Sequence, residues 1–155
     1  MSKQVITRRA SDNEYLHKDF HGALSVGLEY LDEHYGEEAV RDYLRQFARS
    51  YYAPLCQRLL EDGLAVLQEH FAAVYRTEGV SPRIARTPDE LFIEIDACPA
   101  VMHMREHNYS VSRLFHETTR TVNEAICEGT PFAAELLDYD DRTGRSIQHF
   151  FRRPL

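Results

Sequence analysis

Three residues with the chemistry for thiol-based catalysis lie in the second half of the chain: Cys98, His116 and Asn123. Cys98 stands in Asp96-Ala97-Cys98-Pro99, where an alternating strand pattern ends and a proline suited to a first helical position follows. A thiol at a helix N-terminus feels the positive end of the dipole, so its pKa is expected to fall and its thiolate fraction to rise. The alternative is a small buried hydrophobe beside a structural proline. At about 100° per residue on a helix, His116, Asn123 and Cys127 share a stripe about 40° wide, flanked by Ser112 and Thr119. That stripe borders an apolar face. It either lends polar groups to a pocket over the core or forms a half-buried seam against a loop. Taken together, the thiolate would attack, the imidazole would move the proton, and the amide would orient the imidazole or hold an oxyanion.

Other candidates sit at helical spacings. His17 and His21 are four residues apart with Glu14 one turn earlier, and His103 and His107 repeat the spacing. Such a pair puts two imidazoles on one helix face, as a zinc or manganese site needs, although neither pair carries the glutamate of an HExxH motif. His21 borders an apolar stripe and is the better candidate, His17 and His107 read as solvated, and His21 and His103 stand as candidate ligand-binding residues. Tyr52, in Tyr51-Tyr52-Ala53-Pro54, could line a pocket where proline disrupts a helix. Gln148 and His149 fall in a final strand, where alternation sends them to opposite faces. His149 joins the site only if it points inward.

The elements that must position these residues read as α+β, with N-terminal helices packed on a small antiparallel sheet of two hairpins and one further long helix. Residues 1–11 are polar and read as a loose arm, and 12–155 as a single domain. Ser11 and Asp12 offer caps, and Leu16, Phe20, Leu24, Leu28 and Leu31 recur at helical spacing up to Gly36. A second helix from Glu37 presents Val40, Tyr43, Leu44 and Phe47 until Pro54 breaks it. Leu64, Leu67, Phe71 and Val74 mark a third, ending by Gly79. The period then changes: Leu91, Ile93 and Ile95 alternate with Phe92, Glu94 and Asp96. The Thr87-Pro88-Asp89-Glu90 turn makes Arg83–Arg86 the partner strand. A short helix follows over 99–107. A long one is expected from Ser110 or Ser112, with Gly129 and Pro131 closing it. Glu135–Asp140 and Ser146–Arg152 form the second hairpin.

The bulk properties narrow the partners. The formal net charge is −7, which argues against nucleic acid or an anionic membrane surface. No apolar run approaches the roughly 20 residues of a spanning helix, and the first residues lack a signal-peptide core. Three cysteines in such a chain read as reduced thiols in the cytoplasm. The apolar helices leave room for burial against a second copy, and a homodimer is the commonest assembly.

The order of features resembles the family named for L-2-amino-thiazoline-4-carboxylic acid hydrolase. The likeness lies in His17-Lys18-Asp19-Phe20-His21, in Tyr30-Leu31 through Tyr35-Gly36-Glu37-Glu38, in the strand leading into Cys98-Pro99, and in Gln148-His149-Phe150. It implies helices on an antiparallel sheet, a pocket around Cys98, and water opening a small cyclic amidine-like ring. Members often carry further cysteines where this chain has His116 and Ser146, a departure that bears on the substrate. The expectation is a cytoplasmic hydrolase of a C–N bond in a small polar molecule, with Cys98 as nucleophile, His116 as acid and base, and Asn123 as orienting group. His21 and Cys127 would line the pocket. The competing expectation is a small-molecule or metal sensor that binds in the same pocket without reaction.

Overall fold

A computed structural model describes residues 19–155. The expected arm over 1–11, the caps at Ser11 and Asp12, and His17 lie outside the described residues. Four helices come first: α1 (Asp19–Tyr35), α2 (Glu37–Tyr51), α3 (Ala53–Asp62) and α4 (Ala65–Thr77). The hairpin β1 (Arg83–Arg86) and β2 (Glu90–Ile95) follows, then α5 (Pro99–Glu106) and α6 (Glu117–Cys127). The hairpin β3 (Phe132–Tyr139) and β4 (Ser146–Arg152) ends the chain. The four strands form one antiparallel sheet in the order β1-β2-β4-β3, so the fold is α+β. No helix among the described residues is long and apolar enough to cross a membrane.

Local chemistry accounts for most of these boundaries. Tyr52 separates α2 from α3, and Pro54 falls within the first two positions of α3, where its missing N–H costs no intrahelical bond. The Thr87 hydroxyl accepts hydrogen bonds from the Asp89 and Glu90 N–H groups and closes the first hairpin. Asn108 takes a left-handed φ of 55° just past α5, as its side chain permits at a helix end.

Three expectations need correction. The second helix turns Val40, Leu44 and Ala48 inward, while Tyr43 and Phe47 lie exposed. The long helix begins at Glu117 rather than near Ser112. The Ser112 hydroxyl accepts the Leu114 N–H, and residues 112–118 run through three-residue turns before α6 starts. Ser112 is also fixed from outside, because its N–H donates to Ser25 Oγ of α1 at 2.8 Å. A bulge between Leu136 and Asp138 breaks the alternation of β3, and that strand begins at Phe132 rather than Glu135.

The helices lie on the sheet face that carries Leu91, Ile93 and Phe150, all fully buried. Across the strands on this face, Leu91 pairs with Phe150, Ile93 with Gln148, and Ile95 with Ser146. One end of the inner face is therefore apolar. The other, where β2 runs out towards Cys98, carries two buried polar side chains.

Candidate functional site

Cys98 is the residue immediately before α5. Its backbone is extended (φ −90°, ψ 122°), and Pro99 takes the next position. Its carbonyl accepts the Met102 N–H at 3.0 Å, and its own N–H donates to the Thr143 carbonyl at 2.8 Å. That second bond ties the turn of the β3–β4 hairpin over the thiol. Gly144 packs so closely there that a Cβ at this position would lie 2.3 Å from the Cys98 Cβ. The glycine allows the approach, and its φ of +71° suits only glycine comfortably.

This cover decides the state of the sulfur. Burial pushes the Cys98 thiol up from its ordinary value, and the charge of Glu78 adds to the rise. The Val101 and Ala100 N–H groups oppose it, although neither closes a capping hydrogen bond. The resting group is a neutral thiol, not the thiolate expected from its place at a helix N-terminus.

A chain of neutral hydrogen-bonding groups runs from α6 across the sheet to α4. Asn123 Nδ2 donates to Gln148 Oε1 at 2.8 Å, and Gln148 Nε2 donates to Tyr75 Oη at 2.9 Å. Ser146 Oγ lies 3.5 Å from the same Gln148 nitrogen. Gln148, Ser146 and Asn123 are buried. Burial raises the Tyr75 phenol far above its usual range, and the nearby Cys98 adds to that rise. Tyr139, opposite Ser146 in the sheet, is raised by burial first and by Cys98 next. Two phenols that stay protonated thus lie within electrostatic reach of the thiol, and neither is hydrogen-bonded to it.

The other expected residues fall in several places. Asn123 belongs to this group through Gln148. His116 precedes α6, half-buried, with Nε2 3.4 Å from Glu117 Oε1 and its ring 5.8 Å from that of Tyr139. It makes no hydrogen bond with Cys98 or Asn123, so the three residues do not form a contiguous triad. Cys127 is buried, its thiol pushed up to about 12 chiefly by burial, and its nearest titrating neighbours are Arg153 and Cys56. Tyr52 packs edge-on against His70 and Tyr51, its phenol raised by burial. His21 and His103 meet between α1 and α5, where burial and then His103 push the His21 imidazole down. His103 Nε2 lies 3.1 Å from Asp19 Oδ1. His149 points away from Gln148, to the other sheet face. There it stacks on Phe92 at 4.2 Å and on Phe151 at 5.0 Å, between Glu135 and Glu90. Among the described residues, no three His, Cys, Asp or Glu side chains converge as a metal would require.

Sequence reasoning missed Tyr75, Tyr139 and Glu117, and met Ser146 only through the family resemblance. A signal existed for Ser146, because it alternates in phase with Gln148 and the apolar Phe150. Glu117 is fully buried, yet hydrogen bonds from His116, Arg120 and Thr121 overcome that burial and hold its carboxyl well below the usual range. Arg41 of α2 completes its partners at 3.3 Å. It locks α6, and Asn123 with it, against α2. Against known proteins, no family model matches the chain and no curated protein matches it.

Proposed function

We propose that the chain is a small-molecule hydrolase acting on a C–N bond of a cyclic amidine or amide, with Cys98 as its nucleophile. The observation that carries this reading is the placement of Cys98. Its sulfur faces the Val101 and Ala100 N–H groups at the start of α5 under the Gly144 turn, and the Tyr75 and Tyr139 phenols lie within its electrostatic reach.

In the reaction, Cys98 Sγ adds to the trigonal carbon of the substrate, and the thiol proton passes to the nitrogen bonded to it. The C–N bond then breaks with its electron pair on nitrogen, and the amine leaves. Water attacks the remaining thioester-type carbon and returns a proton to sulfur. A basic substrate nitrogen suits a neutral thiol, since the substrate itself accepts the proton. Asn123 acts through Gln148 as a positioning residue, and His116 has no direct part in the attack. Cys56, Cys98 and Cys127 are all free, in keeping with a reducing cytoplasmic setting.

Incubation with a panel of five-membered cyclic amidines and lactams, followed by mass spectrometry, tests the proposal. Turnover is expected from the wild-type protein and none from Cys98→Ser with its fold intact. Equal turnover in both would refute it. The raised thiol favours a second reading, a sensor that binds the same molecules without reaction. Saturable binding of unchanged ligand by both proteins would select it.

A further inference from the structure

The outward face of α1 is apolar where a surface helix of so acidic a chain would carry charge. Phe20, Val26 and Tyr30 are each about half exposed on it. Ala23 and Gly27 lie open between them, and a Cβ added at Gly27 would meet nothing within 4 Å. At about 100° per residue these five share one arc, turned away from the buried Gly22, Ser25 and Leu28. From Phe20 to Tyr30 that arc holds no charged side chain. Beside it runs a groove of about 590 Å³ lined by Asp19, Gly22, Ala23, Val26, Tyr109 and Ser110. The groove wall is fixed: a Cβ at Gly22 would lie 3.1 Å from the Tyr109 ring, and the Tyr109 hydroxyl donates to Asp19 Oδ1 at 3.2 Å. The Tyr30 ring is fixed as well, stacked on His34 at 4.1 Å. The face thus offers a rigid aromatic knob at Tyr30 and, two turns earlier, a hole over Ala23.

We propose that this face binds a second copy of the chain, α1 against α1 and antiparallel about a two-fold axis between Val26 and Gly27. Tyr30 of each copy then lies over Ala23 and in the groove of its partner, and Val26 meets its own counterpart. An isologous contact needs a self-complementary patch, and a knob and a hole placed symmetrically about one point supply it. Antiparallel pairing also sets the acidic first turn at Asp19 beside the last turn at His34, so opposite ends of the two helix dipoles face each other. A partner recognised by charge would find none between Phe20 and Tyr30. The area fits a small interface. Phe20, Tyr30 and Tyr109, 51, 53 and 40% exposed, offer about 100 Å² apiece. With Val26, the small residues and the groove rim, each copy approaches the about 600 Å² at which specific interfaces begin. Rings already held by neighbours lose little freedom on pairing. The pairing does not depend on the chemistry of Cys98.

Sedimentation velocity of the full-length protein over a concentration series tests the pairing. The wild type is expected at twice the 18.0 kDa of the chain. Ala23→Glu is an exposed change that suits a helix. It sets an unpaired carboxylate under each Tyr30 and should raise the dimer dissociation constant about a hundredfold, with unchanged circular dichroism. Tyr43→Glu charges a similarly exposed aromatic on α2 and should leave the dimer intact. A wild type that stays monomeric at every concentration would overturn the proposal. So would a dimer that survives Ala23→Glu, or one that Tyr43→Glu dissociates equally. A monomeric wild type that melts higher than Ala23→Glu would mean that the chain covers this face itself, through residues 1–18, and would overturn it too. Should Ala23→Glu lose its fold, Val26→Cys decides. Under mild oxidation it should cross-link two copies reducibly and far faster than Glu61→Cys, an exposed position on α3. Equal cross-linking rates would overturn the proposal.

Discussion

Substitution of Gly144 by alanine tests whether the second hairpin packs over the half-buried Cys98. Two costs arise. Alanine at φ +71° enters left-handed space, worth about 1–2 kcal/mol. Its Cβ would also fall 2.3 Å from the Cys98 Cβ and 3.0 Å from Val101 Cγ2. The first neighbour lies next to the backbone at the start of a helix and cannot rotate away, so overpacking adds about 1–3 kcal/mol. At this chain length each kcal/mol lowers the melting temperature by about 2–4 °C. Gly129 supplies the control, since its φ is +73° and nothing lies within 4 Å of the added carbon. Gly129→Ala should therefore show the backbone cost alone. Relief of the clash requires the turn to lift from α5, which weakens the Thr143 carbonyl bond to the Cys98 N–H and wets the thiol. Thermal denaturation by circular dichroism should place Gly144→Ala clearly below Gly129→Ala, and iodoacetamide should label Cys98 faster in the former only. Equal melting temperatures and unchanged labelling would refute the claim that this hairpin packs on Cys98.

Two further outcomes follow from the titrating groups. Cys98 in the wild type should alkylate slowly at neutral pH, with a midpoint above the ordinary thiol value of 9.0 because burial outweighs the facing N–H groups, and a midpoint below that value would contradict the packing. Glu117→Ala removes the shared acceptor of Arg41, Arg120 and Thr121, and since Arg41 keeps Glu37 and Glu38 and Arg120 reaches solvent it should cost about 1–3 kcal/mol near neutral pH in urea unfolding. The folded carboxyl titrates below its ordinary 4.5, so its stabilisation is present above that value and lost as pH falls below it. The gap between variant and wild type should narrow in acid, and a gap that stays constant would contradict the assignment.

The fold was largely legible because its signals are local. Alternation at Leu91, Ile93 and Ile95 survives as the buried face of β2, and Pro99 opens α5 as its missing N–H favours. What escaped depends on contacts distant in sequence. Nothing near Ser112 shows that Ser25, 87 residues earlier, holds its N–H and delays α6. Tyr75 sits four residues after Phe71 on an apolar helix face, which is how a core aromatic reads. That it accepts a hydrogen bond from Gln148, 73 residues later, shows only in the fold. Hydrophobicity alone sends Tyr43 and Phe47 inward, whereas the helix buries Val40, Leu44 and the small Ala48.

The position of Cys98 before a helix leaves the state of its thiol open. The N-terminus of a helix favours a negative charge by about 0.3–1 kcal/mol when that end meets solvent. Loss of water around an ionised group in an apolar setting can shift a pKa by several units. The sign at Cys98 is therefore set by whatever covers the start of α5. The cover is the turn around Gly144, more than forty residues away in the chain, and no pattern near Cys98 encodes it. Under the proposed hydrolase reading, a neutral thiol also changes which substrates make sense. A thiolate needs only an electrophile, whereas a thiol needs a partner to take its proton. An amidine nitrogen is such a partner and an ester oxygen is a poor one. The burial that lowers the reactivity of Cys98 towards general alkylating reagents thus favours substrates that bring their own base.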